Sequence, residues 1–337
     1  MWFRRLAGFE EECPDQVRDN LRIEGTRLIS EVTGKEYTCG RLEIVSLGEL
    51  LAQVEDVGCE EGHLSVQQVV ADVRALHASE ANADTLFQVA SQFNLLEMVS
   101  PGVTPEEGVG IYELDHTQGP ACAIAAGAGT IFRNYFCPVN GQVGQSATNQ
   151  LDCLAGLGSA LGNEGDRLWR MQNGYVIPSR SGLEGSGLDK ISSRLRGSSP
   201  EELDELRRSV RIGLQWQTQV TIEGCKHLVS QAYCAAMPVA YSLYPAKEWR
   251  EFAQLVLDAA YEATLAAGIL NRKRTGNRVV YLTLLGGGVF GNNIGWILSA
   301  MGRALQKYRL ADLDVVIVSY RVSNPAVEEF IEDFSSI

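Results

Sequence analysis

Apolar runs of strand length alternate with helix-length amphipathic stretches along most of this 337-residue chain. That alternation predicts an α/β fold, a three-layer α/β/α sandwich with a mixed or mostly parallel sheet. Two segments carry the prediction most clearly. Residues 278–285 read as a buried strand, Gly286-Gly287-Gly288-Val289-Phe290-Gly291-Asn292 as a tight loop, and residues 294–308 as a helix with Trp296, Ile297, Ala300, Ala304 and Leu305 at helical spacing. Earlier, a strand-like run over 85–90 is followed, across a turn-rich loop, by a small-residue helix over 121–132.

Taken in order, residues 1–35 read as a polar helical N-terminal extension, helical over 15–21 and without a strong core stripe. The main domain is expected over 36–337, with an insertion at about 137–212. A strand-like start at residue 42 passes into a short amphipathic helix carrying Leu47, Leu50, Leu51 and Val54. Strands are expected at 69–76 and 85–90. The second ends in Ser91-Gln92-Phe93-Asn94, a candidate binding loop, because ligands of open α/β sheets sit beyond the carboxyl ends of strands. Residues 100–120 are rich in turn formers and in acids (Glu106, Glu107, Glu113, Asp115), and are too long for a mere connector. Thr117 and Pro120 suit the first turn of the helix that follows. Beyond it come a helix over 148–161, an exposed Gly/Ser-rich loop over 179–200 and a charged helix over 201–210. Strands over 215–222 and 228–233, a helix over 249–267 and a last strand over 315–318 complete the pattern.

A net charge of −13 argues against a nucleic-acid partner, and 45% hydrophobic with 21% charged residues describes a soluble globular protein. The eight cysteines, at 13, 39, 59, 122, 137, 153, 225 and 234, form no C-x-x-C, and the nearest His–Cys approach, His116 with Cys122, has no zinc-like spacing. Buried, reduced thiols and no metal are expected. No apolar h-region follows Met1-Trp2-Phe3-Arg4-Arg5, so no signal peptide is expected, and the small-residue run over 121–132 is far short of a membrane span. The expected setting is cytoplasmic, or a host cytoplasm if the chain is a delivered effector, with no membrane partner.

The glycine loop points to a phosphorylated small molecule. Glycines let the main chain approach an anion, and the following helix N-terminus adds partial positive charge. Gly286, Gly288 and Gly291 also fit the dinucleotide fingerprint G-x-G-x-x-G, but the acids near the next strand, Asp312 and Asp314, stand at its beginning rather than its end. A third reading is a tight turn packing a helix on a sheet, with no ligand.

The two loops together resemble the macrodomain family, and the wording Ser91-Gln92-Phe93-Asn94-Leu95-Leu96-Glu97 and Thr117-Gln118-Gly119-Pro120-Ala121-Cys122-Ala123 is most similar to its MavL-type branch. The family's Asn-Ala-Asn signature is replaced here by Ala90-Ser91-Gln92-Phe93-Asn94. The resemblance implies an α/β/α sandwich that binds ADP-ribose and removes it from arginine side chains of a protein, ubiquitin among the candidate carriers, with no cofactor. The implied ligand-binding residues are Gln92, Phe93, Asn94, Thr117 and Gln118 with Gly286, Gly287, Gly288, Val289, Phe290, Gly291 and Asn292.

Cleaving an N-glycosidic bond to a guanidinium passes through a sugar-cation-like state, and carboxylates suit the tasks of activating water, handling the leaving-group proton and binding the guanidinium. Asp115 ranks first as the catalytic acid and Glu107 second, with Glu106 and Glu113 in reserve. His116 reads as a structural hydrogen-bonder, Cys122 as packing, and Ser91 lacks a nucleophile elbow. Two alternatives stay open: a non-catalytic ADP-ribose reader and an NAD-dependent oxidoreductase.

Overall fold

The computed structural model describes residues 1–58, 62–180 and 185–336. Cys59 and part of the expected 179–200 loop lie outside the described residues.

Seven strands form the main sheet: β1 Arg41–Ser46, β2 Ser65–Val70, β3 Leu86–Ser91, β4 Arg211–Gln219, β5 Leu228–Ala235, β6 Val279–Leu282 and β7 Asp314–Ser319. Their spatial order is β1-β4-β5-β3-β6-β7-β2. β4 runs antiparallel to both its neighbours, and every other pairing is parallel. This is the mixed, helix-flanked α/β sandwich that the alternating pattern predicts.

One helical layer contains α1 Leu47–Val57, and the other contains α2 Gln118–Ala125 and α3 Gly127–Tyr135. The first layer is organised by the 30-residue α4 Ala246–Thr275, against which α1, α5 Ile294–Lys307 and the helices Gly187–Arg196 and Pro200–Arg208 pack. α4 is long and apolar enough to cross a membrane, but 89% of its most apolar stretch is buried inside this fold. Its one fully buried acid, Glu262, is neutralised by Arg303 and Lys307 from α5. Leaving either charge there unpaired would be costly, so the pair fixes how α5 lies on α4.

Several local expectations are corrected. Residues 69–76 are not one strand: β2 ends at Val70, and Asp72 caps a helix over Val73–Ala78 by accepting from the Arg74 N–H. The small-residue helix breaks at Ala126, where the Gly127 N–H donates to Thr221 Oγ1 instead of continuing the ladder. Of residues 148–161 only Ala155–Leu161 is helical. Within 179–200, Ser186 and Asp189 form a capping box that starts the helix Gly187–Arg196, which buries Leu188, Ile191 and Leu195.

Residues 1–35 are the largest correction. The helix Trp2–Ala7, the helix Pro14–Asn20 and a three-stranded antiparallel sheet (Leu21–Glu24, Arg27–Ser30, Glu36–Thr38) bury Trp2, Phe3, Leu6, Val17, Leu21 and Leu28 in a second core shared with α2 and α3. Arg4 and Arg5 mask the apolar stripe in the sequence. Of the seven described cysteines, all free, Cys39, Cys122, Cys137, Cys153 and Cys234 are buried, Cys225 is half-buried and Cys13 is exposed.

Candidate active site

β3 and β6 pair only at Leu86–Val280 and Phe87–Tyr281, then part. β3 remains paired with β5 through Ser91, while its freed edge is taken up by a side chain. Gln118 Nε2 donates to the Gln88 carbonyl and Gln118 Oε1 accepts from the Ala90 N–H, both at 2.9 Å. The chain leaves β3 towards α2 in one layer and leaves β6 towards α5 in the other. Loops diverge at such a point, and ligands of open sheets bind there. Here the gap is a solvent-open cleft.

One wall is the glycine loop. Gly286 and Gly291 have φ of +73° and +71°, a backbone region that a side chain would strain. Three bonds close the loop: the Gly287 N–H donates to the Leu284 carbonyl, the Gly291 N–H to Gly288 and the Asn292 N–H to Gly286. Asn292, buried, anchors it from below by donating to the Met237 carbonyl at 2.8 Å. Among the described residues the N–H groups of Gly286, Gly288, Val289 and Phe290 donate to no protein group. A run of uncommitted donors on a glycine turn is a nest for an anion.

A second wall is aromatic. Tyr175, Tyr241 and Phe290 meet with ring centroids 5.2–5.5 Å apart. Tyr175 is pinned by donating to the Met98 carbonyl at 2.7 Å. The third wall is acidic, built by Asp115 and Glu97 beside Thr117 and Gly119. Asp115 Oδ1 accepts from the Thr117 N–H at 2.8 Å, and among the described residues its other oxygen has no hydrogen-bond partner. Glu97 is 4% exposed, and burial holds its carboxyl well above the usual range; Arg133 partly offsets this and the Asp115 charge adds to it.

The loop bearing Asp115 is braced by the N-terminal segment. Glu11 accepts from the Val109 and Gly110 N–H groups and from the Tyr135 hydroxyl, and Trp2 Nε1 donates to the Val109 carbonyl. Burial raises the Glu11 pKa even though those three donors pull it down.

The sequence-predicted residues divide cleanly. Gln92, Asp115, Thr117, Gln118, Gly286, Gly288, Val289 and Phe290 line the cleft. Gly287 is exposed beside it, with Ile297 close behind, and Gly291 packs against Ala240. Phe93 and Asn94, implied as ligand-binding, are instead buried in the core. Asn94 donates to Gln150 and accepts from the Leu96 N–H, so its amide is already used. Glu106, Glu107 and Glu113 do not line the cleft. Glu106 and Glu107 are exposed, Glu106 accepting from the Ala147 N–H, and Glu113 accepts from the Trp2 N–H. His116 is exposed, and Cys122 is buried, accepting from Gln118.

Sequence reasoning missed Tyr175 and Tyr241, which arrive from distant segments without a motif, and Glu97. Glu97 did carry a signal: it is a lone acid in the apolar run Leu95-Leu96-Glu97-Met98-Val99. Among the described residues no group of three His, Cys, Asp or Glu side chains is placed to hold a metal ion.

No family model and no curated protein matches this chain. Among solved structures, it is similar to the poly(ADP-ribose) glycohydrolase of Thermomonospora curvata, with 13% identity and a TM-score of 0.43 over 96% of each chain. It is also similar to the Deinococcus radiodurans poly(ADP-ribose) glycohydrolase in complex with ADP-ribose, with 10% identity and a TM-score of 0.45 over 88% of this chain and 94% of that one.

Proposed function

We propose that this chain is an ADP-ribosylhydrolase that removes mono-ADP-ribose from an arginine side chain of a modified protein. One observation carries the reading: a single strand-end cleft joins a loop of uncommitted N–H donors to a carboxylate, Asp115, across an aromatic wall. The donors suit a diphosphate. Tyr241 and Phe290 offer faces to a ribose or adenine ring. The acidic wall suits a guanidinium leaving group, and Asp115 is placed to take a proton from water attacking the anomeric carbon. Asp115 lines the cleft, and the other three acids of its loop do not. An NAD-dependent reading is disfavoured by Asp312 and Asp314, which pair with Arg272 and Arg278 at the start of β7, the end opposite the glycine loop.

The test compares wild type with Asp115→Asn. Calorimetry should show ADP-ribose binding to both within about threefold, and tighter binding of ADP-ribose than of NAD. Release of ADP-ribose from an arginine-ADP-ribosylated protein should occur with wild type, with or without chelator, and fall by about 10²–10⁴-fold in the variant. Binding without turnover in wild type would leave a reader module, and a preference for NAD would overturn the ADP-ribose site.

A further inference from the structure

Glu97 is a buried carboxyl that no structural role accounts for. It is 4% exposed, faces the cleft beside Asp115, and among the described residues its Oε1 has no hydrogen-bond partner. Its other oxygen lies against Gly119, so close that a Cβ on that glycine would stand 2.3 Å from Oε2 and 2.1 Å from the Ala90 carbonyl. Room for the carboxyl therefore depends on a glycine at the start of α2.

The turn that carries Glu97 is unusually well fastened. The Leu96 N–H donates to Asn94 Oδ1, the Glu97 N–H to the Tyr112 hydroxyl at 2.9 Å, and the Met98 N–H to Gln92 Oε1 at 2.8 Å. Three consecutive backbone donors are thus held by side chains, two of them from the polar cluster that ends β3. A rigid turn presenting an unpartnered acid to a cleft is how a reacting group is pre-positioned.

We infer that Glu97 is a second catalytic carboxyl of this cleft, the proton donor to the leaving nitrogen. The inference rests on the hydrolase reading above. As the C1″–N bond breaks, the Glu97 proton passes to the departing guanidine nitrogen, which leaves as guanidinium. Water adds its hydroxyl to C1″, and its proton goes to Asp115. Exchange with solvent then returns a proton to Glu97 and removes one from Asp115, so the cycle consumes only water. Burial keeps the proton on Glu97 for this task. The ionisable groups around it are Asp115, Arg133, Tyr112, Cys122, Tyr175 and Tyr233. Arg133, stacked 3.6 Å from the Tyr233 ring centroid, is the cation among them, and no ion pair within 4 Å joins it to Glu97.

The deciding experiment measures Glu97→Gln and Asp115→Asn on two substrates: an ADP-ribosyl-arginine protein, and an ADP-ribosyl nitrophenyl ether whose leaving group needs no proton. Glu97→Gln should bind ADP-ribose within about twofold of wild type, lose about 10²–10⁴-fold on the arginine substrate, and hydrolyse the ether within about threefold of wild type. Its residual arginine activity should also lose the alkaline limb of the kcat profile. Asp115→Asn should fail on both substrates. Near-wild-type arginine turnover in Glu97→Gln, or equal loss on both substrates, would overturn the proton-donor role while leaving the hydrolase reading intact. Inactivity of wild type itself would instead defeat that reading. Should Glu97→Gln not fold, Glu97→Asp serves: it should lower kcat on the arginine substrate at least tenfold and spare the ether, and unchanged arginine turnover would overturn the role.

Discussion

Gly288 offers the sharpest test of where a diphosphate would sit. A Cβ built there meets no atom within 4 Å, and its φ lies outside the left-handed region, so a side chain can be added without strain. Gly288→Glu should therefore leave stability within about 0.5 kcal/mol of wild type. Its carboxylate would, however, stand at the mouth of a cleft lined by the same loop. Two unit charges about 5 Å apart at an effective dielectric of roughly 20 repel by about 3 kcal/mol. The position is exposed, so solvent and salt should halve that. The expected weakening of ADP-ribose binding is about 10–20-fold at low salt, shrinking as salt is added. Gly288→Gln, which adds bulk without charge, should lose less, and Gly288→Ala should bind within about twofold. Calorimetry at two salt concentrations, alongside thermal unfolding, makes the measurement. Wild-type affinity in Gly288→Glu with an unchanged Tm would refute the placement of phosphate on this loop.

Gly119→Ala should cost about 1–3 kcal/mol in urea unfolding, because its methyl would collide with the Ala90 carbonyl and Glu97 Oε2; an unchanged midpoint would mean that the start of α2 shifts freely. Tyr241→Ala should weaken ADP-ribose binding by about 0.5–1.5 kcal/mol through the lost ring face, and unaltered affinity would remove the aromatic wall from the ligand site. Burial lowers the His77 pKa to about 4, from an ordinary 6.5, with the ring stacked 3.9 Å from Phe87 and bonded to the Val73 carbonyl. A depressed histidine contributes stability that is complete above pH 6.5 and is lost as pH falls through about 4, a change of about 3 kcal/mol. Unfolding at pH 7.5 and 4.5 should therefore show a larger acid loss for wild type than for His77→Gln, and parallel curves would contradict the burial argument.

What the sequence disclosed follows the range of the forces involved. The β6–glycine loop–α5 unit is local: apolar run, turn residues and helical spacing lie within about thirty residues, and the helix bounds match closely, although the strand is half the expected length and ends at Leu282. The glycine-loop wall of the cleft was legible for the same reason. The acidic wall was half legible. Asp115 adjoins the motif that starts α2, whereas Glu106 and Glu113 share its loop but bond to Ala147 and Trp2, partners distant in sequence, and Glu107 is exposed away from the cleft. Asn94 was misread because an Asn at a strand end suits a ligand and a turn equally well; only the long-range bond to Gln150 decides between them. The aromatic wall was not legible at all. Tyr175 and Tyr241 are brought together by tertiary packing, and no spacing in the chain announces that.

The parting of β3 from β6 has a consequence for the whole sheet. It leaves a seam: β1, β4, β5 and β3 on one side and β6, β7 and β2 on the other, joined by the Leu86–Val280 and Phe87–Tyr281 pairs. Gln88 stitches the seam a little further, donating to Thr264 of α4 and accepting from the Thr283 N–H, so the long helix acts as a splint across the break. A ligand touching Ala90 on one bank and Gly286 on the other would be a second suture. Amide exchange at Phe87 and Tyr281 should then slow on ligand binding, though neither residue lines the cleft, tying occupancy of the site to the cohesion of the sheet.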